Sequence, residues 1–209
     1  MAEPQQTEPA DGVRPTSKAR ATRARLIETA AEAFVDDGYG ATSVRDIAER
    51  AGLTSGAIYG HFSNKANLLG EAVRLRLTED LEHRGTFEET DLAEWLAHNF
   101  RDYRLRRALR ALIVEGAVAA RTDDEVRGLL HDVVGAKERE WAADYREVWE
   151  REGLDPEVDP ESVLLLLLAA EVGLGVLEAL DVDLPAPDAL AAIIQRMVGS
   201  LRPDPHAGA

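Results

Sequence analysis

Apolar residues recur at three- and four-residue intervals along nearly the whole chain, and no stretch shows the strict alternation of a half-buried strand. Leu26, Ala30 and Phe34 fall on one face of a first helix that stops at Asp36-Asp37-Gly38, where glycine tolerates the left-handed conformation. Val44, Ile47, Ala48 and Ala51 mark a short second helix. Ser43 serves as its N-cap, Asp46 reaches back in a shortened capping box, and Gly52 ends it. Thr54 caps a third helix, in which Ile58 and Phe62 sit four apart and anchor one side to the core. Ser63 and Asn64 offer caps for a fourth helix, which carries Lys65 in its first turn and continues through Leu75 and Leu77 as a link to the rest of the chain.

From Asp91 the pattern stays helical. Leu92, Leu96, Asn99 and Tyr103 share a face, with Trp95 and Phe100 beside it, and the next helix uses Leu105, Ala108, Leu109, Leu112, Gly116 and Ala119. Thr122 is read as the cap of a long helix reaching about Arg151, with the stripe Leu130, Val134, Trp141, Tyr145 and Val148. Gly153, Pro156 and Pro160 interrupt it, and Asp159 or Pro160 opens a helix over 162–180 that is apolar nearly all round. A last helix runs from about 188 to 201. These elements predict an all-α protein of about nine helices. Its expected divisions are a disordered tail over 1–19, a helix-turn-helix domain over 20–80 with the motif at about 43–62, a second helical domain over 81–203, and a flexible tail over 204–209.

Charge sharpens this division. The 209 residues carry a formal charge of −15, yet residues 13–76 hold 10 Lys and Arg against 7 Asp and Glu, while residues 77–209 hold 14 against 29. The acidity therefore belongs to the second domain, and only the first can approach a phosphate backbone. The chain has no cysteine, which excludes disulfides, thiol catalysis and cysteine-based zinc sites. Residues 1–18 have no apolar centre and do not read as a signal peptide. Val163 to Ala170 is too short an apolar run for a bilayer, which needs ~20 residues. Extending it to Leu180 brings in Glu171 and Glu178, so membrane insertion is not expected and a cytoplasmic protein is.

Two short helices joined by a tight turn form the arrangement that places the second in the DNA major groove. With ~3.6 residues per turn, Gly56, Ala57 and Gly60 point away from the side held by Ile58 and Phe62. A small outward face lets the helix approach the groove floor, and the Ala57 methyl suits a thymine methyl. Thr54, Ser55, Tyr59 and His61 suit phosphate oxygens, which position a helix without specifying sequence. Lys65 adds positive charge, Arg45 is the candidate for a guanine edge, and Thr42 and Ser43 complete the candidate DNA-binding set. Lys18, Arg20, Arg23 and Arg25 read equally as a phosphate-touching arm or as an ordinary solvated helix start.

The segment from Arg20 to Asp80 resembles the TetR family of bacterial transcriptional regulators. The resemblance is carried by Phe34, Gly38-Tyr39, the run Thr42-Ser43-Val44-Arg45-Asp46-Ile47-Ala48, and Ala51-Gly52-Leu53-Thr54. Gly56, Ile58-Tyr59, His61-Phe62, Lys65 and Leu68-Leu69 complete it. Two positions depart from the family pattern: Gly60 stands where a larger polar residue is common, and Ala66 where an acidic one follows the Lys. The resemblance implies a dimer on a palindromic double-stranded DNA operator, a C-terminal bundle that binds a small-molecule effector, and repression released by that effector.

Aromatic and polar side chains of the middle helices, Trp95, Asn99, Tyr103, Glu115, Trp141 and Tyr145, are candidates for the effector pocket, against the reading that they are plain core. On the last two helices Leu166, Gly173, Leu177, Ile194, Met197 and Val198 are candidates for a homodimer interface. No catalytic residue, cofactor or metal site is indicated. His61, His83, His98, His131 and His206 are scattered, and none of the common catalytic or phosphate-loop motifs occurs. Two other classes remain as alternatives: a non-catalytic helical interaction module, and a helical enzyme.

Overall fold

The helical periodicity becomes nine α-helices and one 3-10 turn among residues 17–84 and 91–202, which the computed structural model describes. The helices are α1 (Ser17–Asp37), α2 (Val44–Arg50), α3 (Ser55–Tyr59), α4 (Lys65–Arg84) and α5 (Leu92–Arg101). After the 3-10 turn Tyr103–Arg106 come α6 (Arg107–Ala119), α7 (Asp124–Arg151), α8 (Pro160–Ala179) and α9 (Pro187–Gly199). No described residue is in a strand. The tails expected over 1–16 and 204–209 lie outside the described residues, whereas 17–19, expected in the N-terminal tail, are already helical.

Local chemistry sets the boundaries. The Ser43 hydroxyl accepts from the Asp46 amide (3.2 Å) and the Asp46 carboxylate accepts from the Ser43 amide (2.8 Å), which closes the capping box of α2. Gly38 (φ 84°) and Gly52 (φ 63°) take the left-handed turns after α1 and α2 that a side chain would strain. Thr54 is the N-cap of α3 by position, but its side chain makes no capping bond. Asn64 opens α4, its side-chain oxygen accepting from the Asn67 amide (2.9 Å). Asp123, not Thr122, caps α7, because its carboxylate takes the Glu125 and Val126 amides. Asp159 caps α8, with Pro160 in the first turn as the missing donor there allows.

Ser43→Ala is expected to lower unfolding free energy by ~1 kcal/mol, the usual worth of such a cap, measured by urea denaturation. The hydrogen bonds from Ser43, side chain first and backbone second, hold the Asp46 carboxyl below its ordinary range. A depressed carboxylate stabilises above its unfolded value and loses that contribution as pH falls through the folded one. Protection of α2 should therefore be full at neutral pH and fade in acid below about pH 4.

Two apolar clusters form. The first joins Leu26, Ala30 and Phe34 of α1 to Ile47, Ile58, Leu68, Leu69 and Val73, and also to Leu112 of α6 and Val126 of α7. The N-terminal helix-turn-helix head therefore shares its core with two helices of the second half. The second cluster unites Leu92, Leu96 and Phe100 with Tyr145, Val148, Trp149, Leu167, Leu174, Ile194 and Val198. Leu105, expected on the inner face of the sixth helix, precedes it in the 3-10 turn and is 74% exposed. Tyr103 belongs to the same turn, whose break in register lets it stay buried.

Helix α8 is long and apolar enough to cross a bilayer by length and composition alone. Two carboxylates tie it into the bundle: Glu171 pairs with Arg106 and Arg110, and Glu178 with Arg110.

Candidate functional site

The capping box and Gly52 set α2 across α3, while Ile58 and Phe62, 0% and 2% exposed, pin α3 to the core. The opposite side of α3 is open. Gly56 and Gly60 are exposed, Ala57 is half-buried, and Tyr59 projects with 60% of its surface free. Ser55 and His61 are half-buried on the flanks and Thr54 is exposed. Arg45 stands out from α2 with its side chain 79% exposed, resting on Glu49 one turn on (2.9 Å). That surface pair is weak and leaves the guanidinium available to another anion.

Two of the sequence candidates are placed otherwise than expected. Thr42 is 3% exposed, and its hydroxyl donates to the Ala33 and Gly38 carbonyls (3.2 and 2.8 Å). Its side chain is a brace for the α1–α2 corner, because a buried hydroxyl must find acceptors close by. Lys65 folds back onto the same corner, donating to the Tyr39 and Thr42 carbonyls (2.8 and 3.0 Å), and its ammonium lies 4.2 Å from the Tyr39 ring centre. Burial pushes its pKa down and Asp123 opposes the shift. Ser43 is exposed, with its hydroxyl engaged in the capping box.

A cavity of about 90 Å³ lies between α5, α6, α7 and α8. Trp95, Asn99, Trp141 and Tyr145 line it, as expected from their residue types. Tyr103 and Glu115 do not. The Tyr103 hydroxyl donates to the Pro185 carbonyl (3.3 Å), and Glu115 faces the reading head. Burial first, and Glu152 second, push the Tyr145 phenol far up, so it stays neutral.

One wall is ionic. Arg106 and Arg110, 7% and 2% exposed, meet Glu171, and Arg110 forks onto Glu178 (2.7 to 3.0 Å). Asp80 of α4 lies 3.8 Å from Arg106. Sequence reading missed this group. Its signal was present in two arginines four apart where the 3-10 turn runs into α6, and in two glutamates seven apart in the apolar part of α8.

The outer side of α8 and α9 is apolar and uncovered. Leu166, Leu177 and Met197 are 66%, 39% and 49% exposed, with Ile193 at 57% beside them. A Cβ on Gly173 would meet nothing. Ile194 and Val198 differ from expectation. They are 8% and 1% exposed and point inward to the second core, one residue around the helix from Ile193 and Met197. Gly175 is where α8 crosses α6 closely, its would-be Cβ falling 2.9 Å from Arg110 Cβ.

A five-residue helix presented with a small outward face, braced by a capped helix across it, defines a helix-turn-helix DNA-binding head. Residues 26–72 match the profile "Bacterial regulatory proteins, tetR family". Residues 26–72 thus carry the DNA-binding domain of the TetR family. It is 44% identical over 78 residues to the HTH-type transcriptional regulator TtgR of Pseudomonas putida, a match covering 37% of each chain. It is 46% identical over 52 residues to the HTH-type transcriptional repressor KstR2 of Mycobacterium tuberculosis, covering 25% of this chain and 26% of that one. The matches thus span between about a quarter and a little over a third of those relatives. The fold extends further: Salmonella enterica GusR superposes with a TM-score of 0.70 at 24% identity, over 87% of this chain and 95% of that one.

Proposed function

We propose that the protein is a sequence-specific DNA-binding transcriptional repressor that acts as a homodimer on a palindromic operator and is released by a small-molecule effector. The observation that carries the reading is the open face of α3, with Gly56, Ala57, Gly60 and Tyr59 turned out from a fixed core and Arg45 beside them. The α8–α9 face supplies apolar surface for the two-fold contact, and the cavity between α5 and α8 supplies a place for the effector. Repression is carried over from KstR2, a transcriptional repressor by name. A cytoplasmic location follows from work on DNA.

Selection of bound duplexes from a random pool, with a salt series on the winner, tests the reading. A palindromic motif supports it, while absence of binding at low salt would sink it and favour an interaction module. On the selected duplex, Arg45→Ala is expected to lose ~1–3 kcal/mol of discrimination at one base pair of each half-site. Tyr59→Ala is expected to weaken all sequences alike. Affinity measured on single-base variants of the site separates the two outcomes.

A further inference from the structure

Helix α6 touches both the cavity and the reading head. Leu109, Arg110 and Ile113 line the cavity. Glu115, two residues further and so about 200° around the helix, turns the other way and accepts a hydrogen bond from the Tyr39 amide at 2.7 Å. Tyr39 sits at the corner between α1 and α2, and its ring packs against Phe34 in the core of the head (5.3 Å between centres). From the other side Lys65 of α4 holds the Tyr39 carbonyl. One residue of the reading head is thus gripped by two charged side chains, a carboxylate from α6 and an ammonium from α4, each through a charge-assisted hydrogen bond.

We propose that Glu115 is a positioning residue: a latch that carries displacement of α6 at the cavity directly to the α1–α2 corner. The latch rests on the ligand-responsive reading of the protein. Three features make it responsive to small movements. Gly38 leaves no slack, since a Cβ there would stand 3.2 Å from the Glu115 carboxylate. Gly116 brings α6 close against α7, its would-be Cβ lying 2.6 Å from Leu130 Cδ1. The cavity side of α6 is tied to α8 through Arg110 and Glu178, so a displacement of α8 at the cavity is passed on to α6. A displacement of an ångström takes a 2.7 Å hydrogen bond beyond bonding distance.

The test uses the full chain. Amide hydrogen exchange at Tyr39 is followed in wild type, Glu115→Ala and Glu115→Gln, and affinity for the selected duplex is measured in the same set. Glu115→Ala is expected to speed exchange at least about tenfold and to weaken duplex binding. Glu115→Gln, whose amide oxygen accepts the same bond, restores most of both. Val134→Phe, which fills the cavity in place of a ligand, is expected to speed Tyr39 exchange and weaken duplex binding in the wild-type background, and to add nothing in the Glu115→Ala background. Unchanged Tyr39 exchange in Glu115→Ala, or a full effect of Val134→Phe on both readouts without Glu115, overturns the proposal. The exchange measurement needs no DNA, so it decides on the latch even where the operator reading fails.

Discussion

Arg110→Ala is expected to lower the thermal midpoint by roughly 10 °C. Arg110 is 2% exposed, forks onto Glu178, donates to the Tyr103 carbonyl and reaches Glu171 at 3.5 Å. Removing it leaves Glu178, its side chain 17% exposed, without its guanidinium, and Glu171 with Arg106 in place of two arginines. Breaking a buried pair from one side costs ~3–5 kcal/mol because the abandoned charge stays desolvated. Replacing both ends, as in Arg110→Leu with Glu178→Leu, should cost much less, since no orphan charge remains. Scanning calorimetry on the single and double variants checks this. Equal losses in the two would mean that packing at the Gly175 crossing, not charge, holds α6 to α8.

Leu166→Glu combined with Met197→Glu is expected to turn a dimer into a monomer and to reduce affinity for the selected duplex on the order of 100-fold or more. Both side chains are about half or more exposed in the single chain, so a monomer tolerates them, whereas a dimer would have to bury four like charges. The head is untouched, so the loss is that of tethering two heads to one palindrome. Sedimentation gives the mass and a binding isotherm the affinity. A variant that remains dimeric would move the interface off the α8–α9 face.

The head was legible in the sequence because its determinants are local. Ser43 and Asp46 close their box within three residues, Gly38 and Gly52 mark turns by conformation alone, and Ile58 with Phe62 states which side of α3 is inward. The cavity was legible in part. Aromatic residue type pointed to Trp95, Trp141 and Tyr145, which line the cavity, and equally to Tyr103, which does not and whose hydroxyl donates to the Pro185 carbonyl. The α8–α9 face proposed for the dimer was only half legible. Ile193, Ile194, Met197 and Val198 are equally apolar, and only the seating of α9 along α5 shows which pair faces in.

The all-α class, the helix-turn-helix and its capping are written in the order of residues, because spacing and cap chemistry act within a few positions. So is the split between a mildly basic head and an acidic body. Charged groups whose partners lie far along the chain took their roles only from the folded arrangement. Lys65 became a brace of the α1–α2 corner. Glu115 became its contact with α6, and Arg106 and Arg110 became the ionic wall between α6 and α8. A buried polar group takes its role from whatever acceptor or counter-charge the fold brings within bonding distance, and periodicity does not encode that distance.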